Sequence, residues 1–194
     1  MSHVELLVLD GQGVVFSDPL VEFFAALADE TAQDPVVVRT RWNDLLREPA
    51  WRGTISDETL WHGLSEGRGH GWGERLESAY GPGPAAPALA RWSSVVPIWL
   101  LTNHRTPWIE ARLDRLELRR WFTRVLVSDA VGALKPERAV FDPILRHVRH
   151  PASVLLVDDQ AKNVEAAAAL GFCALLADSS GRWLDAVDGK LGLL

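Results

Sequence analysis

Asp10 stands as a lone carboxylate at the end of an apolar run, followed by the glycine-flanked turn Gly11-Gln12-Gly13 and a second apolar run. A carboxylate delivered in this way to a strand tip can act as a nucleophile. Three other segments offer it partners. Thr102-Asn103 places a hydroxyl and the following backbone N–H groups at the end of another apolar run. Lys135, one of only three lysines, precedes Pro136, and Asp158-Asp159 closes a further run. A hydroxyl, backbone amides and an ammonium suit a phosphate group. Paired carboxylates beside a third call for a hard divalent cation such as Mg²⁺, because like charges otherwise repel and take up protons. The combined chemistry is phosphoryl transfer through an aspartyl-phosphate, in which positioning and charge neutralisation dominate.

The elements that must gather these residues follow from hydropathy. Five short apolar runs, 4–9, 95–101, 124–128, 153–157 and 172–177, are near-continuous, as strands covered on both faces should be. Helical spacing occupies 109–121, 140–148 and 161–170, the last ending at Gly171 as a C-cap. Strand–helix alternation predicts an α/β fold with a doubly wound parallel sheet, whose active groups collect at the carboxyl ends of the strands. Those ends read Asp10, Thr102-Asn103, Ser128-Asp129 and Asp158-Asp159. Spacing adds an insertion. From Asp10 to Thr102 is 92 positions, too many for one crossover, whereas the steps of 33 to Lys135 and 23 to Asp158 fit single units. Residues 18–83 therefore read as a small helical cap, with Ser56 or Asp57 as one N-cap, and residues 1–17 and 84–194 as the core.

At these residues the chain resembles the haloacid dehalogenase (HAD) superfamily of aspartate-nucleophile hydrolases. LVLDGQGVVF (7–16) resembles its first motif and LLTN (100–103) its second. SDAVGALKPERAVFDPIL (128–145) is close to the third, with Lys135 as the motif lysine, and VDDQAKNVEAAAALGF (157–172) resembles the fourth, with Asn163 and Gly171 in place. The insertion site, and WRGTISDETLW (51–61) within it, are similar to the helical-cap group containing epoxide-hydrolase N-terminal domains. The resemblance implies Asp10 as nucleophile, Thr102, Asn103 and Lys135 around the phosphoryl oxygens, and Mg²⁺ on Asp10, the Gln12 backbone carbonyl and Asp159, with Asp158 beside it or through water. It also implies a small phosphorylated substrate and a cap that sets specificity.

One position departs from the pattern. In family phosphatases the residue two after the nucleophile is an aspartate that serves as general acid and base; here it is Gln12. An amide hydrogen-bonds but carries no such proton, and general acid–base help is worth roughly 10²–10⁴ in rate. Gln12 thus leaves three readings open: lost activity, retuning to a substrate that needs little acid catalysis, or a base supplied elsewhere. The alternative to an enzyme is a degenerate HAD fold that binds a phosphorylated ligand or a protein partner. Metal-free haloacid dehalogenation fits poorly with Asp158-Asp159. Phosphonate cleavage through a cap lysine fails unless a partner supplies one, because 18–83 holds no lysine.

Bulk properties narrow the partners. A net charge of −6 argues against nucleic acid and polybasic membrane binding. A single cysteine, Cys173, excludes an internal disulfide, fits a reducing compartment and reads as a small residue of a buried strand. MSHVELLVLD is too short and acidic for a signal peptide, and no apolar run approaches ~18 residues, so a soluble, cytoplasmic protein is expected. Gly63–Gly67 fits G-x-S-x-G, but a helical setting rules against a nucleophile elbow. His104 reads as a loop histidine beside the site. Most of the nine tryptophans, Trp42, Trp51, Trp61 and Trp72 among them, read as packing, with one or two free to line a substrate.

Overall fold

The apolar runs form one parallel sheet of order β3-β2-β1-β4-β5 in the computed structural model, which describes residues 4–194. The strands are β1 (Leu6–Leu9), β2 (Ile98–Thr102), β3 (Arg124–Val127), β4 (Val154–Asp158) and β5 (Cys173–Leu176). The order reverses at β1, which pairs with β2 on one side and β4 on the other. In register, Leu9 lies beside Leu100 and Val157, and the Asp10 N–H donates to the Val157 carbonyl at 2.9 Å. The tips of β1, β2 and β4 are therefore neighbours, although 92 residues separate the first two in sequence.

Strand periodicity of two explains the unbroken hydrophobicity of the central strands. Leu7, Leu9, Ile98, Leu100, Leu155 and Val157 enter the core on one face. Leu6, Val8, Trp99, Leu101, Leu126 and Leu156 enter the other. Both faces of β1, β2 and β4 are buried throughout. β5 differs from expectation: as an edge strand it leaves Cys173 half-buried and Leu176 42% exposed.

Five helices fill the insertion after β1: α1 (Leu20–Glu30), α2 (Pro35–Arg41), α3 (Arg47–Trp51), α4 (Asp57–Ser65) and α5 (Trp72–Ala79), with a π-helical turn at Trp42–Leu46. Local chemistry starts two of them. Asp34 caps α2 by accepting from the Val36 N–H at 2.7 Å, with Pro35 at its first position. Ser56 caps α4 by accepting from the Thr59 N–H at 3.0 Å. Aromatic edges knit the helices together: Phe23 meets Trp61 and Trp72, while Trp42 meets Phe24 and Trp51. This cluster is continuous with the core on one face of the sheet.

The remaining helices are α6 (Leu89–Ser93), α7 (Thr106–Arg115), α8 (Ser128–Val131), α9 (Arg138–Leu145), α10 (Ala161–Ala169) and α11 (Arg182–Leu191). The helix expected over 109–121 is shorter and earlier, because Glu117 adopts φ +56° and a 3₁₀ turn follows at Arg119–Trp121. Gly171 follows α10 at φ +88°, as its C-cap reading requires. Among the described residues no helix is long and apolar enough to cross a membrane.

Candidate active site

A pocket of about 260 Å³ opens where the tips of β1, β2 and β4 meet the five-helix insertion. Asp10, Gln12, Thr102, Asn103, Lys135 and Asp159 line its floor. The turn after Asp10 is tight for two steric reasons. A side chain on Gly11 would meet the Thr102 hydroxyl at 2.6 Å. Gly13 sits at φ +79°, and a Cβ there would lie 2.6 Å from an Asp159 oxygen. The two glycines thus let the turn press against both neighbouring strand tips.

Lys135 joins the carboxylates. Its Nζ donates to Asp10 Oδ1 at 2.5 Å and to Asp158 Oδ2 at 2.6 Å, with the lysine itself 4% exposed. Asn103 clamps the lysine backbone from both sides: Nδ2 donates to the Lys135 carbonyl at 3.0 Å and Oδ1 accepts the Lys135 N–H at 2.8 Å. The Asn103 side chain is thus occupied as a positioning group, which leaves its backbone to face a ligand. Asp158 lies behind the pocket wall. Its second oxygen accepts from the Gln160 N–H and from Asn163 Nδ2, both at 2.9 Å. Among the described residues no protein group hydrogen-bonds the Thr102 hydroxyl or the Gln12 carbonyl, so both are open to a ligand.

Electrostatics follows from burial. Burial pushes the Asp10 carboxyl up to about 8; Lys135 opposes this, and Asp158 and Asp159 add to it. Asp159 is raised as well, first by burial. Burial alone would lower Lys135, but its two carboxylate partners overcome that and hold it above the ordinary lysine range. Oxygens of Asp10, Asp158 and Asp159 all lie within 4.8 Å of one another. Three acidic oxygens facing one ammonium form a hard donor set with excess negative charge, which fits a divalent cation of the magnesium type.

Several features lay outside the sequence reading. Tyr80, the chain's single tyrosine, donates to Gln12 Oε1 at 3.1 Å. Its ring lies 3.4 Å from the fully buried Arg112 guanidinium. Tyrosine's rarity was a signal, but its partner at 68 residues' separation was not. His104 is buried and meets Arg112 Nη2 at 3.2 Å rather than lining the pocket. Burial, then Arg112 and Arg105, holds its pKa well below the usual value. Ser128 and Asp129 also stay out of the pocket: Ser128 donates to the Trp51 carbonyl, and Asp129 accepts from Thr106 at the start of α7. Trp42 and Trp51 line the pocket, whereas Trp61 and Trp72 line a separate surface groove.

A family model for haloacid dehalogenase-like hydrolases matches residues 76–171, the stretch that carries Thr102, Asn103, Lys135, Asp158 and Asp159. Over that stretch the chain matches the HAD superfamily. Among curated HAD-like relatives, pyrimidine 5'-nucleotidase YjjG of Escherichia coli K12 is 29% identical over 140 residues. That match takes in 61% of this chain and spans 60% of the relative's length. Solved HAD structures share the fold. A predicted HAD-like family hydrolase from Porphyromonas gingivalis superimposes with a TM-score of 0.74 at 21% identity, covering 98% of each chain. A HAD family enzyme from Bacteroides thetaiotaomicron, in complex with magnesium and inorganic phosphate, gives 0.69 at 17% identity, covering 89% of this chain and 93% of its own.

Proposed function

We propose that this HAD-like chain is a Mg²⁺-dependent phosphatase for a small phosphorylated molecule, acting through an aspartyl-phosphate on Asp10. The observation that carries the reading is the buried bridge of Lys135 between Asp10 and Asp158, set beside the unoccupied hydroxyl of Thr102. Asp10 attacks phosphorus while the bond to the leaving ester oxygen breaks. Thr102, the Asn103 backbone and Lys135 hold the phosphoryl oxygens. Asp10, the Gln12 carbonyl and Asp159 would hold the metal, with Asp158 behind them, and Mg²⁺ would there neutralise the phosphoryl charge. Water then attacks the phosphorus of the acyl phosphate, which restores Asp10 and frees inorganic phosphate. The helices of residues 18–83 serve as the cap over this floor. The magnesium and phosphate in the Bacteroides enzyme and the nucleotidase activity of the E. coli relative support this chemistry.

Gln12 favours a second reading, a site that binds a phosphorylated ligand without turning it over. Its Oε1 is already bonded to Tyr80, and an amide moves no proton. A 4-nitrophenyl ester separates the readings, because its leaving group needs no proton. Full-length protein with Mg²⁺ is expected to release 4-nitrophenolate, at least as a burst of one equivalent, and Asp10→Asn is expected to release none. Indistinguishable traces for the two proteins would overturn the enzymatic reading and leave the binding one.

A further inference from the structure

Charge is distributed differently at the floor and the mouth of the pocket. At the floor, carboxylates outnumber the ammonium of Lys135, an imbalance a divalent cation removes. At the mouth the imbalance is reversed. Arg39 of α2, Arg47 at the start of α3 and Lys162 in the first turn of α10 line the pocket, and none has a carboxylate partner among the described residues. The other arginines of the insertion, Arg41, Arg52, Arg68 and Arg75, are each paired with a glutamate. The one acidic side chain at the mouth, Asp18, is engaged by the Leu20 N–H at 3.0 Å. Arg47 is held in place: Nη1 donates to Asn43 Oδ1 at 3.2 Å, and the guanidinium stands 5.4 Å over the Trp51 ring. Those contacts leave most of its five N–H donors free.

A phosphoryl group seated at the floor satisfies Thr102 and Lys135 and leaves the two mouth guanidiniums without a partner. Guanidinium groups bind carboxylate and phosphate oxygens through paired N–H bonds. We propose that the substrate carries a second anionic group, carboxylate or phosphate, which Arg39 and Arg47 bind while its phosphoryl group occupies the floor. This rests on the floor being the phosphoryl site argued above. The pocket's size restricts the molecule to a small phosphorylated acid, whose carbon chain packs on Phe24, Trp42 and Trp51. A nucleoside monophosphate has no such second anion, so the substrate class differs from that of the E. coli relative.

Calorimetric titration of the Mg²⁺-loaded full chain tests this. The ligands are alkyl phosphates of graded chain length, each paired with the ester of equal length ending in a carboxylate. In at least one pair the carboxylated member is expected to bind about tenfold or more tightly. In the Arg39→Gln/Arg47→Gln double variant, shown to be folded by its unchanged melting, that ratio is expected to fall to about twofold or less. Equal affinities within every pair, a ratio that survives the double variant, or uridine monophosphate binding above every carboxylated ester would each overturn the proposal. Failure of inorganic phosphate and all esters to bind is a different result: it would overturn the phosphoryl-site reading itself, and this inference with it.

Discussion

The amide of Gln12 meets the reaction with one end taken: Oε1 accepts from Tyr80, and Nε2 alone is left to donate a hydrogen bond. It can orient water or a leaving oxygen but cannot exchange a proton with either. The nearest substitutes do not fill that role. Burial raises the Tyr80 phenol far above neutrality, so it stays protonated, and His104 is buried against Arg112 outside the pocket. The prediction at this scale is a gain of function: Gln12→Asp restores a proton carrier and is expected to raise turnover of an alkyl phosphate about 10²–10⁴-fold. The residues around Asp10 were legible in sequence because each sits at the end of an apolar run. The side-chain duties of Asn103 and Asp158 were not, because both depend on partners at least several positions away that only the folded loops bring close.

Helix α7 ties the insertion to the sheet. Arg112 donates Nε and Nη2 to Glu77 of α5 at 3.0 and 2.6 Å, Arg115 reaches the Glu77 and Tyr80 carbonyls, and Trp108 stacks on Trp61 of α4 at 5.5 Å. The Arg112 side chain is fully buried, so losing it strands Glu77 and undercuts Tyr80. Arg112→Met is expected to cost ~3 kcal/mol, roughly 6–12 °C in melting temperature. A calorimetric scan that moved by less than about 2 °C would contradict that role. The central strands could be read from hydrophobicity because both faces are covered. β5 could not be ranked as an edge from its own residues, since pairing order is a property of the whole sheet. The end of α7 was misplaced because the apolar rhythm continues through Leu116 and Leu118, across the left-handed Glu117 that stops the helix.

Over the whole molecule, metal and protons compete for the same floor. Asp10 is raised from 3.8 to about 8, so between those values the metal-free folded chain keeps a proton that the unfolded chain has released. Stability from this group therefore falls as pH rises through that window. Mg²⁺ held on Asp10, as proposed, would displace the proton, so its stabilisation would grow over the same range. The melting-temperature gain from Mg²⁺ over a chelator is expected to be several degrees larger near pH 8 than near pH 5. Buried His104 acts in the opposite sense, its contribution being lost as pH falls below 6.5, but it enters both melts and cancels in the difference. Equal gains at both pH values would mean that the metal does not sit on Asp10. The doubly wound order was legible from strand–helix alternation and spacing. The charge reversal between pocket floor and mouth was not, because Arg39 and Arg47 stand out only once the other arginines of the insertion are seen to be paired.

The most direct measurement is phosphate release from an alkyl phosphate, with Mg²⁺, by the wild-type chain and Gln12→Asp side by side. An assembled site held back by its amide predicts that the variant is faster by at least about a hundredfold and that chelating the metal abolishes the difference. Equal, measurable rates in the two proteins would contradict the amide as the brake, and no release from either with the metal bound would contradict phosphoryl transfer at Asp10.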